Sequence, residues 1–151
     1  MSLIRITKQF TFEMAHVLKG YDGPCRNIHG HSYVLYVTTI GEPVRDRESP
    51  KRGMVLDYGD LKNIVKENIV DEFDHALVMS EDHDNKLIDE LRDKFERIII
   101  VDYQPTNENL LLDFVQRLKR KLPADIKLHN LKLRETATSY SEWFAEDNME
   151  D

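Results

Sequence analysis

The stretch LIRITKQFTFEMAH, residues 3–16, alternates apolar and polar side chains over most of its length. Successive residues of a strand point to opposite faces, so this pattern predicts a long strand with one buried face. A second stretch, SYVLYVTTI at residues 32–40, is rich in β-branched and aromatic residues and ends before Gly41, which predicts a second strand. A loop rich in glycine and proline, residues 19–24, separates them. We expect the two strands to pair as a hairpin.

The remaining periodic stretches predict three helices and two more strands. Asp57 is a suitable N-cap for a helix that ends near residue 71, and Thr106 for a helix that stops at Pro123. A shorter helix is predicted over residues 84–94, a buried stretch over 98–101, and strands over 126–136 and 140–144. We therefore expect an α+β fold of order ββααββ with an extra short helix. Its four-stranded antiparallel sheet carries the helices on one face.

Length and composition indicate one folded domain. The chain has 151 residues, 40% hydrophobic and 32% charged, and domains cluster at roughly 100–150 residues. We expect a single domain over residues 1–145 and an acidic tail over 146–151. The sequence contains no apolar run near the roughly 20 residues that span a membrane, and the first residues lack the apolar core of a secretion signal. We expect a cytoplasmic protein with no membrane partner.

Charge and cysteine content exclude further classes. The net charge is −7, which argues against a nucleic-acid partner because such binding needs a basic surface. Cys25 is the single cysteine, so an intrachain disulfide is excluded. A stabilising crosslink would have to be a metal or a subunit interface.

Three histidines are predicted to meet at one end of the hairpin. His29 and His31 enter the second strand two residues apart, so their side chains point to the same face. His16 ends the first strand, and pairing of the strands brings it to the same end. Three imidazoles with an open fourth position are the ligand set of a catalytic zinc site. The alternative is a chance pair or a polar cluster without metal, which spacing does not exclude.

Cys25 lies four residues before His29, beside the predicted metal. A lone cysteine is most often an inert buried residue. A thiol close to a divalent cation, however, loses its proton more easily and becomes a usable base or nucleophile. We favour this role over the alternative that Cys25 is a fourth zinc ligand, which would close the site and abolish catalysis.

Three more polar motifs have ordinary structural explanations when taken alone. Asp74 and His75 form a carboxylate–imidazole pair of a kind that also occurs at surfaces and caps. Glu135 lies near the end of a predicted strand, where a glutamate usually faces solvent. Thr106 is explained by the start of a helix.

Six motifs follow one another along almost the whole chain: Phe12-Glu13-Met14-Ala15-His16, Cys25-Arg26-Asn27-Ile28-His29-Gly30-His31-Ser32-Tyr33, Gly53-Met54-Val55-Leu56-Asp57-Tyr58-Gly59-Asp60-Leu61-Lys62, Phe73-Asp74-His75, Pro105-Thr106-Asn107-Glu108-Asn109 and Arg134-Glu135-Thr136-Ala137-Thr138-Ser139. In this order they resemble the 6-pyruvoyl-tetrahydropterin synthase and 6-carboxy-tetrahydropterin synthase family. The three-residue gap between Cys25 and His29 resembles the bacterial carboxy branch, which serves queuosine precursor synthesis.

The resemblance implies the tunnelling fold, in which antiparallel strands of several subunits form a barrel. It also implies a homohexamer of two trimers with its sites between subunits. That agrees with a small sheet, whose edges must be covered or paired. By the same resemblance, His16, His29 and His31 bind zinc.

The resemblance also implies roles for the other candidate residues. Cys25 is the proton-abstracting base, and His75, supported by Asp74, forms a charge relay with Glu135. Glu135 also binds the pterin ring, and Thr106 lines the same pocket. The implied enzyme is a lyase that converts 7,8-dihydroneopterin triphosphate to 6-carboxy-5,6,7,8-tetrahydropterin with loss of triphosphate and acetaldehyde.

Three alternatives to this activity stay open. They are a 6-pyruvoyl-tetrahydropterin synthase that retains the side chain, a non-catalytic zinc or pterin-binding module, and a zinc hydrolase. Residues 77–104 depart from the shortest family members, and we expect an outer insertion there. A chain of charge −7 repels a triphosphate, so Lys19, Arg26, Lys51 or Arg52 would have to form a local basic patch.

Overall fold

The computed structural model describes residues 1–149 and contains one six-stranded sheet. The strands are β1 (Ile4–His16), β2 (His29–Gly41), β3 (Ala76–Ser80), β4 (Ile98–Val101), β5 (Lys127–Thr136) and β6 (Ser139–Phe144). Their order across the sheet is β4-β3-β1-β2-β5-β6. β1 and β2 pair along their whole length, from Ile4 opposite Gly41 to His16 opposite His29. The predicted hairpin and the α+β class are therefore confirmed.

Three helical stretches connect the strands. The first is α1 (Tyr58–Val65), which continues through a π-helical turn (Lys66–Val70) into α2 (Asp71–Phe73); the others are α3 (Asn85–Lys94) and α4 (Asn107–Lys119). Asp57 caps α1 by accepting a hydrogen bond from the Gly59 N–H at 2.7 Å. Thr106 caps α4 by accepting one from the Asn109 N–H at 3.2 Å. Both predicted caps are confirmed.

The predicted four-stranded antiparallel sheet is wrong because residues 77–104 help to form two further strands. β3 pairs in parallel with β1, and β4 pairs in parallel with β3. Parallel neighbours need a long crossover, which α3 provides between β3 and β4. The segment therefore belongs to the sheet and is not an outer insertion, and the element order is ββαβαβαββ.

One face of the sheet packs against α1, α2 and α4. Alternate residues of β1 and β2 point to these helices and form the core with them; the core includes Phe10, Phe12, Met14, Tyr33, Leu35, Val37, Leu61, Ile69, Phe73, Leu110, Phe114 and Leu118. α3 lies on the other face, because its Ile88 contacts Met79, whereas the adjacent Val78 faces the main core. The prediction that all helices share one face is thus wrong for α3.

The end of the chain packs only in part. Trp143 and Ala145 contact the core, and Ala145–Asn148 form a 3-10 turn. Residues 150 and 151 of the predicted acidic tail lie outside the described residues. Within residues 1–149, the structure has no helix long and apolar enough to cross a membrane.

Candidate metal centre and active site

Three imidazole rings meet at one end of the β1–β2 hairpin. His16 is the last residue of β1, and the pairing places it opposite His29, the first residue of β2. His31 follows on the same face of β2. The ring centroids are 4.5 Å apart for His16 and His29, 5.2 Å for His16 and His31, and 4.9 Å for His29 and His31. The predicted convergence of the three histidines is confirmed.

Backbone carbonyls fix the tautomers of two of these rings. The His16 Nδ1–H donates to the carbonyl of Pro105 at 2.7 Å, and the His29 Nδ1–H donates to the carbonyl of Asn27 at 2.7 Å. A carbonyl oxygen only accepts, so in the neutral rings both Nε2 atoms carry lone pairs. These two atoms face each other at 3.0 Å. Two lone pairs at this distance repel, and a cation between them removes the repulsion.

The third ring completes a ligand set suited to a metal ion. His31 Nε2 is buried and has no hydrogen-bond partner within residues 1–149. One nitrogen from each of His16, His29 and His31 lies within 4.8 Å of the others, and among the described residues no thiol or carboxylate belongs to this set. Imidazole nitrogens bind Zn²⁺ and other first-row ions, and carbonyl-anchored Nδ1 atoms are typical of metal-bound histidines. The residues present therefore fit a metal ion.

The electrostatic environment keeps the rings ready to bind. Burial lowers the pKa of His16 to about 4, against the opposing effect of its bond to Pro105. Burial also lowers the pKa of His31, against the opposing charge of Glu135. Both rings are consequently neutral at pH 7, which is the form in which imidazole binds a metal.

We expect the metal-free protein to lose stability as the pH falls from about 6.5 towards 4. The folded pKa of His16 lies below the unfolded value of about 6.5, so the unfolded chain takes up the proton first and acid favours unfolding. Above pH 6.5 the contribution is fully present. The difference between the folded and unfolded pKa values of His16 corresponds to about 3 kcal/mol in the free energy of unfolding, and most of this is lost by pH 4. Urea unfolding with a chelator at pH 7 and pH 5 measures the loss.

The control for this pH dependence is His16→Asn, which cannot titrate. Its free energy of unfolding should fall less between the two pH values than that of the unchanged chain. Equal losses in the two proteins would contradict the assignment to His16.

Tyr33 packs against two of the three rings and was not predicted to belong to the site. Its side chain is fully buried, stacks on Phe12 at 5.3 Å and touches the His16 and His31 rings edge-on. Burial raises its pKa, and the charges of Glu135 and Cys25 add to the effect. Within residues 1–149 its hydroxyl has no hydrogen-bond partner.

Replacing Tyr33 with phenylalanine is expected to leave metal-free stability unchanged, or to raise it by up to about 1 kcal/mol. Removing a buried hydroxyl that makes no hydrogen bond costs nothing in lost bonding. The matched control is Tyr103→Phe, because the Tyr103 hydroxyl donates to Asp113 at 2.5 Å; its loss should cost about 1.5–3 kcal/mol. Equal losses in urea unfolding would show that the Tyr33 hydroxyl has a partner.

Cys25 lies at the same end of the sheet as the histidines. It occupies the 3-10 turn Pro24–Arg26, is half-buried, and its carbonyl accepts a hydrogen bond from the Leu18 N–H at 3.1 Å. Leu18 comes two residues after His16, so this bond ties the turn to the end of β1. Thr106 lies at this end too, next to Pro105, whose carbonyl holds His16.

Glu135 reaches the centre from a bulge in β5. Arg134 pairs with Tyr140 and Thr136 with Ser139, so Glu135 has no opposite residue in β6. Bulges of this kind redirect a side chain. Glu135 Oε1 lies 3.7 Å from His31 Nε2.

Asp74 and His75 lie just before β3. His75 contributes to a cavity of about 910 Å³ that is also lined by Glu13 and Ser32, which face away from the main core, and by His31 of the histidine cluster. Its Nδ1 is 3.1 Å from Asp74 Oδ1, and its side chain is 73% exposed. Within one chain, Glu135 thus reaches the histidine cluster, and Cys25 and Thr106 lie at the same end of the sheet, whereas the His75 ring pairs with Asp74 and is mostly exposed.

The four predicted cations are also divided. Lys19 and Arg26 follow β1 and precede β2 at the histidine end. Lys51 and Arg52 belong to the loop after the far end of β2, and Lys51 Nζ lies 2.5 Å from Asp57. One chain therefore does not gather the four cations into one patch.

The chain is similar to known proteins in both sequence and fold. Residues 5–146 match the sequence profile of the family described as 6-pyruvoyl tetrahydropterin synthase. The chain is 34% identical over 143 residues to the 6-carboxy-5,6,7,8-tetrahydropterin synthase of Haemophilus influenzae, covering 93% of this chain and 99% of that protein. It is 31% identical over 131 residues to the dihydroneopterin monophosphate aldolase of Pyrococcus furiosus, covering 87% and 89%. A solved structure of Caenorhabditis elegans 6-pyruvoyl tetrahydropterin synthase matches with a TM-score of 0.65 and 25% identity, covering 96% and 97%.

Proposed function

The chain belongs to the 6-pyruvoyl tetrahydropterin synthase family, and on this basis we propose that it is a zinc-dependent 6-carboxy-5,6,7,8-tetrahydropterin synthase. Its substrates are 7,8-dihydroneopterin triphosphate and one water molecule, and it releases triphosphate and acetaldehyde. The names of several relatives support the product. The facing Nε2 atoms of His16 and His29 are the observation that carries the metal dependence. The role in queuosine precursor synthesis and the cytoplasmic location stay predictions.

His16, His29 and His31 would hold the zinc ion. Bound zinc supplies Lewis-acid chemistry, which polarises the side-chain oxygens of the substrate and makes the neighbouring C–H bonds more acidic. The Pro105 and Asn27 carbonyls keep two of the rings in the tautomer that this requires.

Cys25 would act as the base that removes a proton from the substrate side chain. It is half-buried beside the end of β1 and outside the imidazole set, which supports an unligated thiol close to the reacting carbon. Glu135 would accept hydrogen bonds from the amino group and ring nitrogen of the pterin, with Thr106 lining the pocket. The bulge that turns Glu135 toward His31 supports this placement.

His75 would serve the centre of a neighbouring subunit. It is 73% exposed and does not belong to the set of histidines that converge within its own chain, which supports a relay of Asp74 and His75 with Glu135 across a subunit interface. β4 and β6 end the sheet on its two sides, and exposed sheet edges are commonly covered by another chain. A homohexamer of two trimers would provide such interfaces.

Mixed oligomers test the shared site. Cys25→Ala and His75→Ala chains, each with strongly reduced activity alone, should regain part of the activity when they are co-expressed, because some sites then receive both residues. A mixture that is no more active than its components would contradict a site shared between subunits.

The product test uses the zinc-loaded protein and 7,8-dihydroneopterin triphosphate, with mass spectrometry of the pterin and an assay for acetaldehyde. We expect 6-carboxytetrahydropterin and equimolar acetaldehyde. A tetrahydropterin that retains its three-carbon side chain, without acetaldehyde, would instead indicate a pyruvoyl synthase. No turnover would favour a non-catalytic binding module.

The similarity to the P. furiosus aldolase supplies a second candidate. Aldol cleavage of dihydroneopterin monophosphate leaves the phosphate on the released aldehyde, whereas the synthase releases free triphosphate. Parallel assays with the monophosphate therefore separate the two activities.

A further inference from the structure

His75 has an unusual backbone. Its φ is 62°, and it is the only non-glycine residue with positive φ among the residues that the structure describes. A side chain disfavours this left-handed region, so neighbouring contacts must hold the residue there. Those contacts decide where the exposed imidazole points.

β1 holds Asp74 and His75 from one side. The Glu13 N–H donates to Asp74 Oδ1 at 2.9 Å, and the His75 N–H donates to the Glu13 carbonyl at 2.6 Å. Burial of Asp74 favours a higher pKa, but the bonds from Glu13 and His75, together with the charge of Arg97, hold its pKa below the ordinary range.

Arg97 makes hydrogen bonds to the chain both before and after Asp74 and His75. Its guanidinium donates to the carbonyls of Asp71 and Glu72, the latter at 3.2 Å, at the end of α2. Its own carbonyl accepts the Leu77 N–H at 2.9 Å, at the start of β3. Arg97 also lines both cavities that His75 lines.

The helical stretch has a second anchor that does not involve Arg97. Arg117 of α4 donates to the Asn68 carbonyl at 3.2 Å and to the Glu72 carboxylate. α2 should therefore stay in place without the Arg97 guanidinium. The Arg97 guanidinium would then mainly fix the conformation of the two residues between α2 and β3, Asp74 and His75.

We propose that Arg97 is a positioning residue, whose bonds to the end of α2 and the start of β3 keep His75 in its left-handed conformation and aim its imidazole into the cavity. The proposal rests on the proposed function for the catalytic use of His75. The backbone restraint itself does not depend on any activity.

The activity test compares Arg97→Gln, Arg97→Lys and, as a matched control, Arg92→Gln at an exposed position of α3. In the zinc-loaded protein, Arg97→Gln should lower kcat about tenfold and leave KM and zinc content unchanged. This loss is smaller than the roughly 100-fold loss of rate that follows when a catalytic group is misplaced by 1 Å. Arg97→Lys should restore part of the loss, and Arg92→Gln should match the unchanged chain. Wild-type kcat in Arg97→Gln would overturn the proposal.

A double-mutant cycle asks whether Arg97 acts through His75. His75→Ala combined with Arg97→Gln should be no slower than His75→Ala alone. A further loss in the double variant would overturn the proposal, because Arg97 would then act elsewhere.

Amide hydrogen exchange separates this inference from the proposed function. The His75 amide should exchange faster in Arg97→Gln than in Arg92→Gln, whether or not the protein turns over a pterin. Unchanged exchange overturns the positioning role, whereas failure of the unchanged chain to convert dihydroneopterin triphosphate overturns only the proposed function.

Discussion

Replacing His29 with alanine is expected to weaken zinc binding by more than about a hundredfold and to lower kcat/KM about a thousandfold. Four-ligand structural zinc sites bind with about 10–16 kcal/mol, so one ligand accounts for about 3 kcal/mol. His29 is half-buried at the start of β2 and is absent from the buried core, so the fold should tolerate the change. Competition with a chromophoric chelator measures the affinity.

The matched control is His83→Ala. His83 is also partly buried and has a pKa lowered first by burial, but it lies in the loop after β3, outside the imidazole set. Its zinc affinity should equal that of the unchanged chain. If His29→Ala binds zinc as tightly as His83→Ala, the ion is held elsewhere and the proposed centre is wrong.

The hairpin and its histidines could be predicted because they depend on local rules. A period of two fixes which side chains share a face, and the pairing of one loop-connected hairpin then brings His16 opposite His29. The caps at Asp57 and Thr106 depend only on side chains beside their own helices. The sequence therefore determined the central part of the site without knowledge of the rest of the fold.

The two parallel strands could not be predicted in the same way. β3 and β4 are runs of five and four residues, too short for their periodicity to separate strand from helix. Their pairing in the sheet is set by long-range packing, which also decides where His75, the residue before β3, lies relative to the histidine cluster. Proximity of motifs in sequence therefore did not reveal where each motif lies in the fold.

The groups that anchor the centre are also invisible in the sequence. The Pro105 and Asn27 carbonyls fix the histidine tautomers, and every residue has such a carbonyl. Tyr33 fits the apolar parity of β2, so its buried hydroxyl gives no separate signal. A bulge at Glu135 depends on the alignment of β5 with β6.

Replacing Cys25 with alanine is expected to lower kcat by about 10²–10⁴-fold, the usual contribution of a positioned general base. Zinc affinity and the free energy of unfolding should stay close to those of the unchanged chain. The hydrogen bond that holds the turn uses the Cys25 carbonyl, which alanine keeps, and the half-buried thiol contributes little to the core. Steady-state kinetics with measured zinc content give both quantities.

The same variant separates the two roles that the sequence left open for Cys25. A ligand thiolate would lower zinc affinity on removal and would give the cobalt-substituted protein a sulfur-to-metal absorption band that Cys25→Ala lacks. A base outside the coordination shell changes only kcat. The absence of a thiol from the set of converging ligand atoms favours the base. Wild-type turnover by zinc-loaded Cys25→Ala would remove Cys25 from the chemistry and leave proton abstraction to another residue.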